Sequence, residues 1–138
     1  MQVLVDTNVI LDAILPRGEF SRLARLLVRK HEEKLFQGFV SASAITDIYF
    51  IVEKERKHDF ALQAIKKVVR MLTVIPVNVE IIETAFASSV KDFEDAVQAA
   101  AAQDFGINIV VTRDKTDFSN SGLQVYSPED FLETLREL

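Results

Sequence analysis

The sequence has no cysteine and no tryptophan, and only two histidines among its 138 residues. Without cysteine, disulfides and thiolate metal sites are excluded. His31 and His58 lie in charged, helix-like surroundings, and we expect both at the surface. A histidine zinc site or a Ser-His-Asp triad therefore has little to build on. Any bound metal would be held by oxygen ligands, which favours Mg²⁺, Mn²⁺ or Ca²⁺.

Long apolar runs are also missing. No stretch of about 18 apolar residues is free of charge, so a membrane span is not expected. Near the amino terminus Asp6 and Asp12 interrupt the apolar run, and no basic region precedes it, unlike a secretory signal. Together with the missing cysteines, this predicts a cytoplasmic location. The formal net charge of −5 argues against nucleic-acid binding through overall charge, although a local basic patch can still border an acidic pocket.

The composition that is present suits one globular domain. Apolar residues make up 49% of the chain, and no linker, repeat or low-complexity segment divides it. We therefore predict a single domain over residues 1–138.

Short apolar runs alternate along the chain with segments of helical periodicity. Strands are predicted at residues 2–6, 73–77, 107–112 and 123–127, and residues 38–42 are expected to form a brief strand or a turn. Helices are predicted at residues 7–15, 20–36, 43–56, 59–72, 78–90, 92–106 and 128–138, with a polar loop at 113–122. Ser21 and Ser43 are the expected caps of the second and third helices. The alternation predicts a three-layer α/β/α fold with a central, mainly parallel sheet.

Four acidic residues stand out by their positions. Asp6 ends the first strand, and Asp114 follows the strand at 107–112 by two residues. Ligands of open α/β sheets bind beyond the carboxyl ends of the strands. Asp47 interrupts an apolar stretch, and Asp95 starts an alanine-rich helix. We expect these four carboxylates, from four separate segments, to meet at one end of the sheet.

Such a convergence is unfavourable without a cation. Two unit charges about 4 Å apart repel by about 4 kcal/mol at an effective dielectric constant of about 20. A divalent ion reverses the sign of that interaction, and Mg²⁺ prefers carboxylate oxygens while keeping several waters. Such a site supports hydrolysis of phosphodiester bonds, because the metal activates a water and stabilises charge on the phosphate.

Four ordered segments, "VDTNVILD", "TDIYF", "DFEDAVQAAAA" and "VVTRDKTDF", carry a family resemblance. The chain resembles the PIN domain family over essentially its whole length, and in particular the VapC-type toxin ribonucleases. The resemblance implies that Asp6, Asp47, Asp95 and Asp114 form a catalytic acidic cluster. Asp6, Asp95 and Asp114 would be the principal ligands of Mg²⁺ or Mn²⁺, and Asp47 would assist in positioning the metal or a water.

The resemblance also implies supporting residues. Asn8 would orient a water or Asp6, Thr112 would form hydrogen bonds within the cluster, and Asp117 is a further possible ligand. Many relatives have glutamate where this chain has the shorter Asp47. Relatives also vary in whether the residue at Asp114 or that at Asp117 carries the role.

Glu94 stands directly beside Asp95. Neighbours on a helix point about 100° apart, so Asp95 is expected to face the cluster and Glu94 the solvent.

Each acid also has a purely structural interpretation. Asp6 suits the N-cap of the helix that follows it, and Asp95 suits a capping box with Asp92. Asp47 would lie on the exposed face of an amphipathic helix. Asp114 and Asp117 would serve turn formation in a polar loop.

Basic residues have two interpretations as well. Most of them fit solvated helix faces. Arg113 and Lys115, beside Asp114, are the best placed to contact RNA phosphates.

The leading functional hypothesis is a metal-dependent endoribonuclease, the toxin of a toxin–antitoxin pair. Its partners would be RNA, a small antitoxin protein and a second copy of the chain, which would dimerise through the apolar helices near residues 44–52 and 61–72. One alternative is a catalytically silent scaffold with the same fold. Another is a different Mg²⁺-dependent phosphoryl-transfer enzyme, such as a phosphatase or a response-regulator receiver.

Overall fold

A computed structural model describes all of residues 1–138 as five strands and seven helices. The strands are β1 Gln2–Val5, β2 Gln37–Ser41, β3 Thr73–Ile75, β4 Ile109–Val111 and β5 Gln124–Tyr126. The helices are α1 Thr7–Ile14, α2 Glu19–Glu32, α3 Ala42–Arg56, α4 His58–Met71, α5 Val79–Phe86, α6 Phe93–Asp104 and α7 Pro128–Arg136.

The strands form one sheet in the order β3-β2-β1-β4-β5, and every pair of neighbours is parallel. In the middle of the sheet, Val3 of β1 lies opposite Gly38 on one side and Ile109 on the other. Parallel neighbours require crossover connections, and the helices supply them. The predicted α/β fold with a parallel central sheet is confirmed.

Successive side chains of each strand enter different layers of the core. In β1, Val3 and Val5 pack with α1, α2, α3, α4 and α7, whereas Leu4 packs with α5 and α6. In β4, Val111 belongs to the first layer and Val110 to the second. Because side chains alternate across a strand, a continuous apolar run fills both layers at once.

Local capping fixes where several helices begin. Asn78 accepts a hydrogen bond from the backbone N–H of Ile81 at α5, and Asp92 accepts one from Asp95 at α6. Both caps agree with the sequence prediction. After α6 the chain turns at Gly106, whose φ of 81° lies in the left-handed region that glycine adopts without a steric penalty.

Two predicted caps are wrong. Helix α2 begins after Gly18, and Ser21 is buried inside its first turn. The Ser21 hydroxyl instead donates to the carbonyl of Leu15 and accepts from the N–H of Arg17, both at 2.7 Å. Helix α3 begins after Ser41 rather than Ser43. Sequence pattern identified serines near the helix starts but not which of them tertiary packing would bury.

Three smaller expectations also differ from the structure. Helix α5 ends at Phe86 instead of reaching residue 90, and the loop at 113–122 contains a 3-10 turn over Lys115–Phe118. His31 is half-buried rather than at the surface, and its two ring nitrogens contact the carbonyl of Met71 and the N–H of Gly38. This imidazole therefore joins α2 to α4 and β2.

Each helix of the protein is too short or too polar to cross a lipid bilayer.

Replacing Ser21 with alanine should destabilise the fold. Its hydroxyl satisfies one donor and one acceptor of the connection between α1 and α2, at a buried position. Unpaired buried polar groups cost about 1–3 kcal/mol each, so we expect a loss in the free energy of unfolding of about that size. Urea titration would measure it. The same change at the exposed Ser89 should stay within about 0.5 kcal/mol, and an equally small effect at Ser21 would contradict the assignment.

Candidate active site

The chain reverses direction across the sheet at β1. From β1 the order runs through β2 to β3 on one side, while β4 and β5 lie on the other. The connections after β1 and β4 therefore leave a crevice at the carboxyl ends of these two strands, which is where open α/β sheets bind ligands. The N–H of Asp6 donates to the carbonyl of Val111 at 3.0 Å, so Asp6 lies at this point.

Asp6 is a buried carboxylate with three hydrogen-bond donors. Its residue is 4% exposed. One oxygen, Oδ1, accepts from the N–H of Thr7 at 2.7 Å and from Nε2 of Gln98 at 3.1 Å, while Oδ2 accepts from the Thr112 hydroxyl at 2.8 Å. Burial raises the pKa of Asp6, and these hydrogen bonds oppose the increase. The side chain is therefore held in one orientation, and as an N-cap it also starts α1.

Asp95 approaches this carboxylate from the first turn of α6. Burial raises its pKa to about 7, and the charges of Asp6, Asp92, Asp117 and Asp114 add to the effect. The alanines that follow are buried against the sheet, because their small side chains let α6 approach closely. The capping interaction with Asp92 is present at the same time, so the structural and the site interpretations of Asp95 coexist.

The expectation that Glu94 faces solvent is wrong. Glu94 is half-buried, and its carboxyl lies within 3.5 Å of the Thr7 hydroxyl. Burial of this carboxyl, its hydrogen bond with Asp47 and the charge there raise its pKa to about 8. Glu94 lies near Thr7 of α1 and is affected by Asp47 of α3. Acidic residues are therefore found on more than one side of the start of α6. The charge of Asp47 thus acts on the cluster through Glu94.

The acids of the 3-10 turn lie at the exposed rim of the site. Asp114 caps this turn, since its Oδ1 accepts from the N–H and the hydroxyl of Thr116 at 3.2 and 2.6 Å. Turn chemistry is therefore part of its role. Burial and the charges of Asp114 and Asp92 raise the pKa of Asp117. Both side chains belong to the same electrostatic neighbourhood as Asp95.

The other residues expected at the site are Asn8, Arg113 and Lys115, and their contacts connect the rim of the site to the helices. Asn8 accepts from the N–H of Arg113 at 3.3 Å and makes no hydrogen bond with Asp6. Arg113 is paired with Asp12, with 3.0 Å between Nε and Oδ2. Lys115 is paired with Asp130 at 3.2 Å. Both basic residues expected to contact RNA are thus engaged with carboxylates.

Three residues at the site were not anticipated from the sequence: Gln98, Glu94 and Asp12. Gln98 is fully buried, and its Oε1 has no hydrogen-bond partner. The available signal was a lone amide in an alanine run, four residues after Glu94 on the same helix face. Asp12 carried a comparable signal, a charge inside the apolar helix α1. No three His, Cys, Asp or Glu side chains are arranged here as a ready metal-binding group.

A separate apolar groove lies between α1, α2 and α4 and contains none of the acidic residues. Its volume is about 310 Å³, and most of its lining is hydrophobic. Arg25, His31 and Lys67 are the basic residues in its wall.

The parallel sheet and the acidic crevice define an α/β protein of the kind predicted from the four motifs. Residues 2–116 match the sequence profile of the PIN domain. Ribonuclease VapC1 of Aquifex aeolicus (strain VF5) is 30% identical over 137 residues, which cover 96% of this chain and 94% of that protein. The chain therefore belongs to the PIN domain family, and the predicted resemblance is confirmed.

Solved structures share the fold at lower identity. One is VapC20 of Mycobacterium tuberculosis, a sarcin-ricin loop cleaving toxin, with a TM-score of 0.67 at 18% identity. The match covers 88% of this chain and 95% of the VapC20 chain. DNA-bound VapBC from Salmonella typhimurium has a TM-score of 0.70 at 16% identity and covers 93% of this chain and 98% of that one. At these identities the likeness concerns the fold.

The raised pKa values of Glu94 and Asp95 predict that the stability of the protein falls as pH rises. The ordinary values are 4.5 for Glu94 and 3.8 for Asp95, against about 8 and about 7 in the folded protein. Between about pH 5 and pH 8 the folded state binds more protons than the unfolded state, so the free energy of unfolding decreases with pH. We expect the Tm in EDTA to fall over this range in a calorimetric series.

Glu94→Gln and Asp95→Asn remove one titrating group each and should flatten this dependence. Glu80→Gln, at an exposed position on α5, is the matched control and should leave the slope unchanged. A wild-type Tm that rises from about pH 5 to pH 8 would contradict the assigned pKa shifts.

Proposed function

We propose that this protein is a divalent-metal-dependent endoribonuclease that hydrolyses RNA phosphodiester bonds as the toxin of a toxin–antitoxin pair. The observation that carries the proposal is the buried, hydrogen-bonded Asp6 together with Asp95, whose pKa is raised by burial and by the charges of Asp6, Asp92, Asp117 and Asp114. A protein that brings so many like charges to one crevice gains little stability from them, so the arrangement calls for a cation.

The donor set fits Mg²⁺ or Mn²⁺ by its chemistry. All the groups available are carboxylate or amide oxygens, which hard cations prefer. The charges of Asp6, Asp117 and Asp114 raise the pKa of Asp95, so a bound cation would favour the ionised form of this carboxyl. In the proposed site Asp6, Asp95 and Asp114 are the metal ligands, and Asp47 assists through its contact with Glu94. Asp117 would supplement Asp114.

The bound metal would activate a water and stabilise charge on the phosphate. The protein's own residues prepare that site. Thr112 and Gln98 donate hydrogen bonds to the two oxygens of the Asp6 carboxylate and so orient it before a ligand binds. Asn8 fixes the backbone at Arg113, between Thr112 and Asp114. Glu94 can hold a proton beside Asp47 near neutral pH, because its pKa is about 8.

The relatives support this assignment. VapC1, the relative with 30% identity, is a ribonuclease, and several neighbours in fold were solved as toxin–antitoxin complexes. We propose that a small antitoxin protein binds this chain as well. The apolar groove between α1, α2 and α4 offers a surface for an apolar segment of such a partner. The cytoplasmic location expected from the missing cysteines stays a prediction.

Asp6→Asn and Asp95→Asn should each abolish metal-dependent RNA cleavage, to below about one hundredth of the wild-type rate, since each removes a charged ligand. Asn can replace Asp6 without a clash, because the Thr112 hydroxyl can rotate to accept from the new amide while donating to the Asp114 carbonyl. Cleavage of total cellular RNA with Mg²⁺, Mn²⁺ or EDTA, alongside circular dichroism, would measure activity and fold.

The matched control is Asp59→Asn in the exposed first turn of α4, which should cleave like the wild type. Full activity of the purified Asp6→Asn/Asp95→Asn double variant would overturn the assignment. So would wild-type cleavage that persists undiminished in EDTA.

The protein should form a homodimer through α3 and α4. Phe50 and Val69 on these helices are 55% and 48% exposed, and Ile51 and Leu62 add to the apolar surface. Light scattering should give twice the mass of one chain, and Phe50→Asp should shift the mass towards the monomer. The same substitution at Phe105, which is also exposed, should leave the mass unchanged. A monomeric wild type would contradict this prediction.

A further inference from the structure

We propose that Arg113 is a positioning residue, whose ion pair with the buried carboxylate of Asp12 keeps the segment carrying Asp114 and Asp117 beside Asp95. The inference rests on the proposed function, which makes that segment part of the metal site. It also gives Arg113 a different role from the phosphate contact expected from the sequence.

The first observation is the burial of Asp12. This residue of α1 is 2% exposed, and its Oδ1 has no hydrogen-bond partner. A buried carboxylate is unfavourable unless a cation compensates it. The Nε of Arg113 lies 3.0 Å from Oδ2. The other nearby cation, Arg17, hydrogen-bonds to Glu55 at 3.1 Å, so Arg113 is the cation in contact with Asp12.

The second observation is that Arg113 is anchored at three points. Besides Asp12, its guanidinium lies 4.3 Å from the centre of the Phe20 ring on α2. Its backbone N–H donates to Asn8 on α1. Stacking on an aromatic ring and pairing with a carboxylate are both interactions that guanidinium makes well. The residue is thus tied to two helices.

The third observation is where Arg113 stands in the chain. Thr112, directly before it, donates to Asp6, and Asp114, directly after it, caps the 3-10 turn that contains Asp117. Consecutive Cα atoms are about 3.8 Å apart, so a shift of Arg113 displaces the neighbours on both sides. The ion pair with the buried Asp12 therefore acts on the acidic cluster through the backbone.

A positioning role and a phosphate contact predict opposite results for Asp12. If Arg113 contacts RNA, Asp12→Asn releases the guanidinium and leaves or improves RNA binding. If Arg113 positions the segment, Asp12→Asn disturbs the metal site, although Asp12 itself is buried and is paired with Arg113.

The variants are Asp12→Asn, Arg113→Gln and the double variant. Mn²⁺ binding to the free protein is measured by electron paramagnetic resonance, and kcat is measured on a random-sequence single-stranded RNA. We expect both single variants to weaken Mn²⁺ binding and to lower kcat by about 10- to 100-fold, as for residues that orient metal ligands. Both substitutions break the same interaction. The double variant should therefore lose no more Mn²⁺ affinity and kcat than the more impaired single variant.

RNA binding in Ca²⁺ over a range of salt concentrations supplies a readout that a loss of stability alone does not change. For a positioning residue, the salt slope of Arg113→Gln equals that of the wild type. Loss of a phosphate contact would reduce the slope by about one. A reduced slope together with wild-type Mn²⁺ binding in Asp12→Asn would overturn the proposal.

Arg136→Gln is the control, since Arg136 is exposed and paired with Glu133 on α7. It should match the wild type in Mn²⁺ affinity and kcat. If Arg113→Gln does not fold with Asp12 left unpaired, Asp12→Asn and the double variant still decide the question. Wild-type protein without metal-dependent cleavage would refute the proposed function, while the Mn²⁺ measurements would still test the positioning. A cleaving wild type with unaltered Mn²⁺ affinity and kcat in Asp12→Asn would refute the positioning alone.

Discussion

The burial of the Asp6 carboxylate is the constraint on which the rest of this structure depends. A carboxylate at the centre of a sheet is tolerated only when donors surround it, and Thr7, Gln98 and Thr112 supply them. These three donors come from α1, α6 and the end of β4. The hydrogen bonds to the Asp6 carboxylate therefore bring together segments that carry other acidic residues. The price is a set of like charges with raised pKa values at one crevice.

Two pairs of residues connect the acidic cluster to the helices around it. Glu94 joins Asp47 to the cluster from α3, and Arg113 joins the rim to the buried Asp12 in α1. The first pair connects the cluster to α3, and the second connects its rim to α1. The catalytic geometry proposed for this PIN domain is consequently a property of packing between α1, α3 and α6, and it responds to changes outside the acidic cluster itself.

Sequence reasoning worked well where a local rule decides the structure. The apolar runs predicted four strands and left residues 38–42, which form β2, open between a strand and a turn, and Asn78 and Asp92 cap the helices they precede. It erred where packing chooses between equivalent groups. Ser21 was a reasonable cap until the fold buried it against the turn after α1. Glu94 was expected in solvent because helical geometry separates it from Asp95, but α3 supplies a partner on that second side.

The sequence by itself determined the alternation of elements, the parallel sheet and the four acidic segments, because hydrophobic periodicity and strand ends are local properties. The tertiary structure decided which polar groups form hydrogen bonds and ion pairs with one another. Gln98 and Asp12 are ordinary residues of their helices until folding places them against Asp6 and Arg113. Such contacts join residues far apart in the chain, and their energies depend on burial that no local pattern encodes.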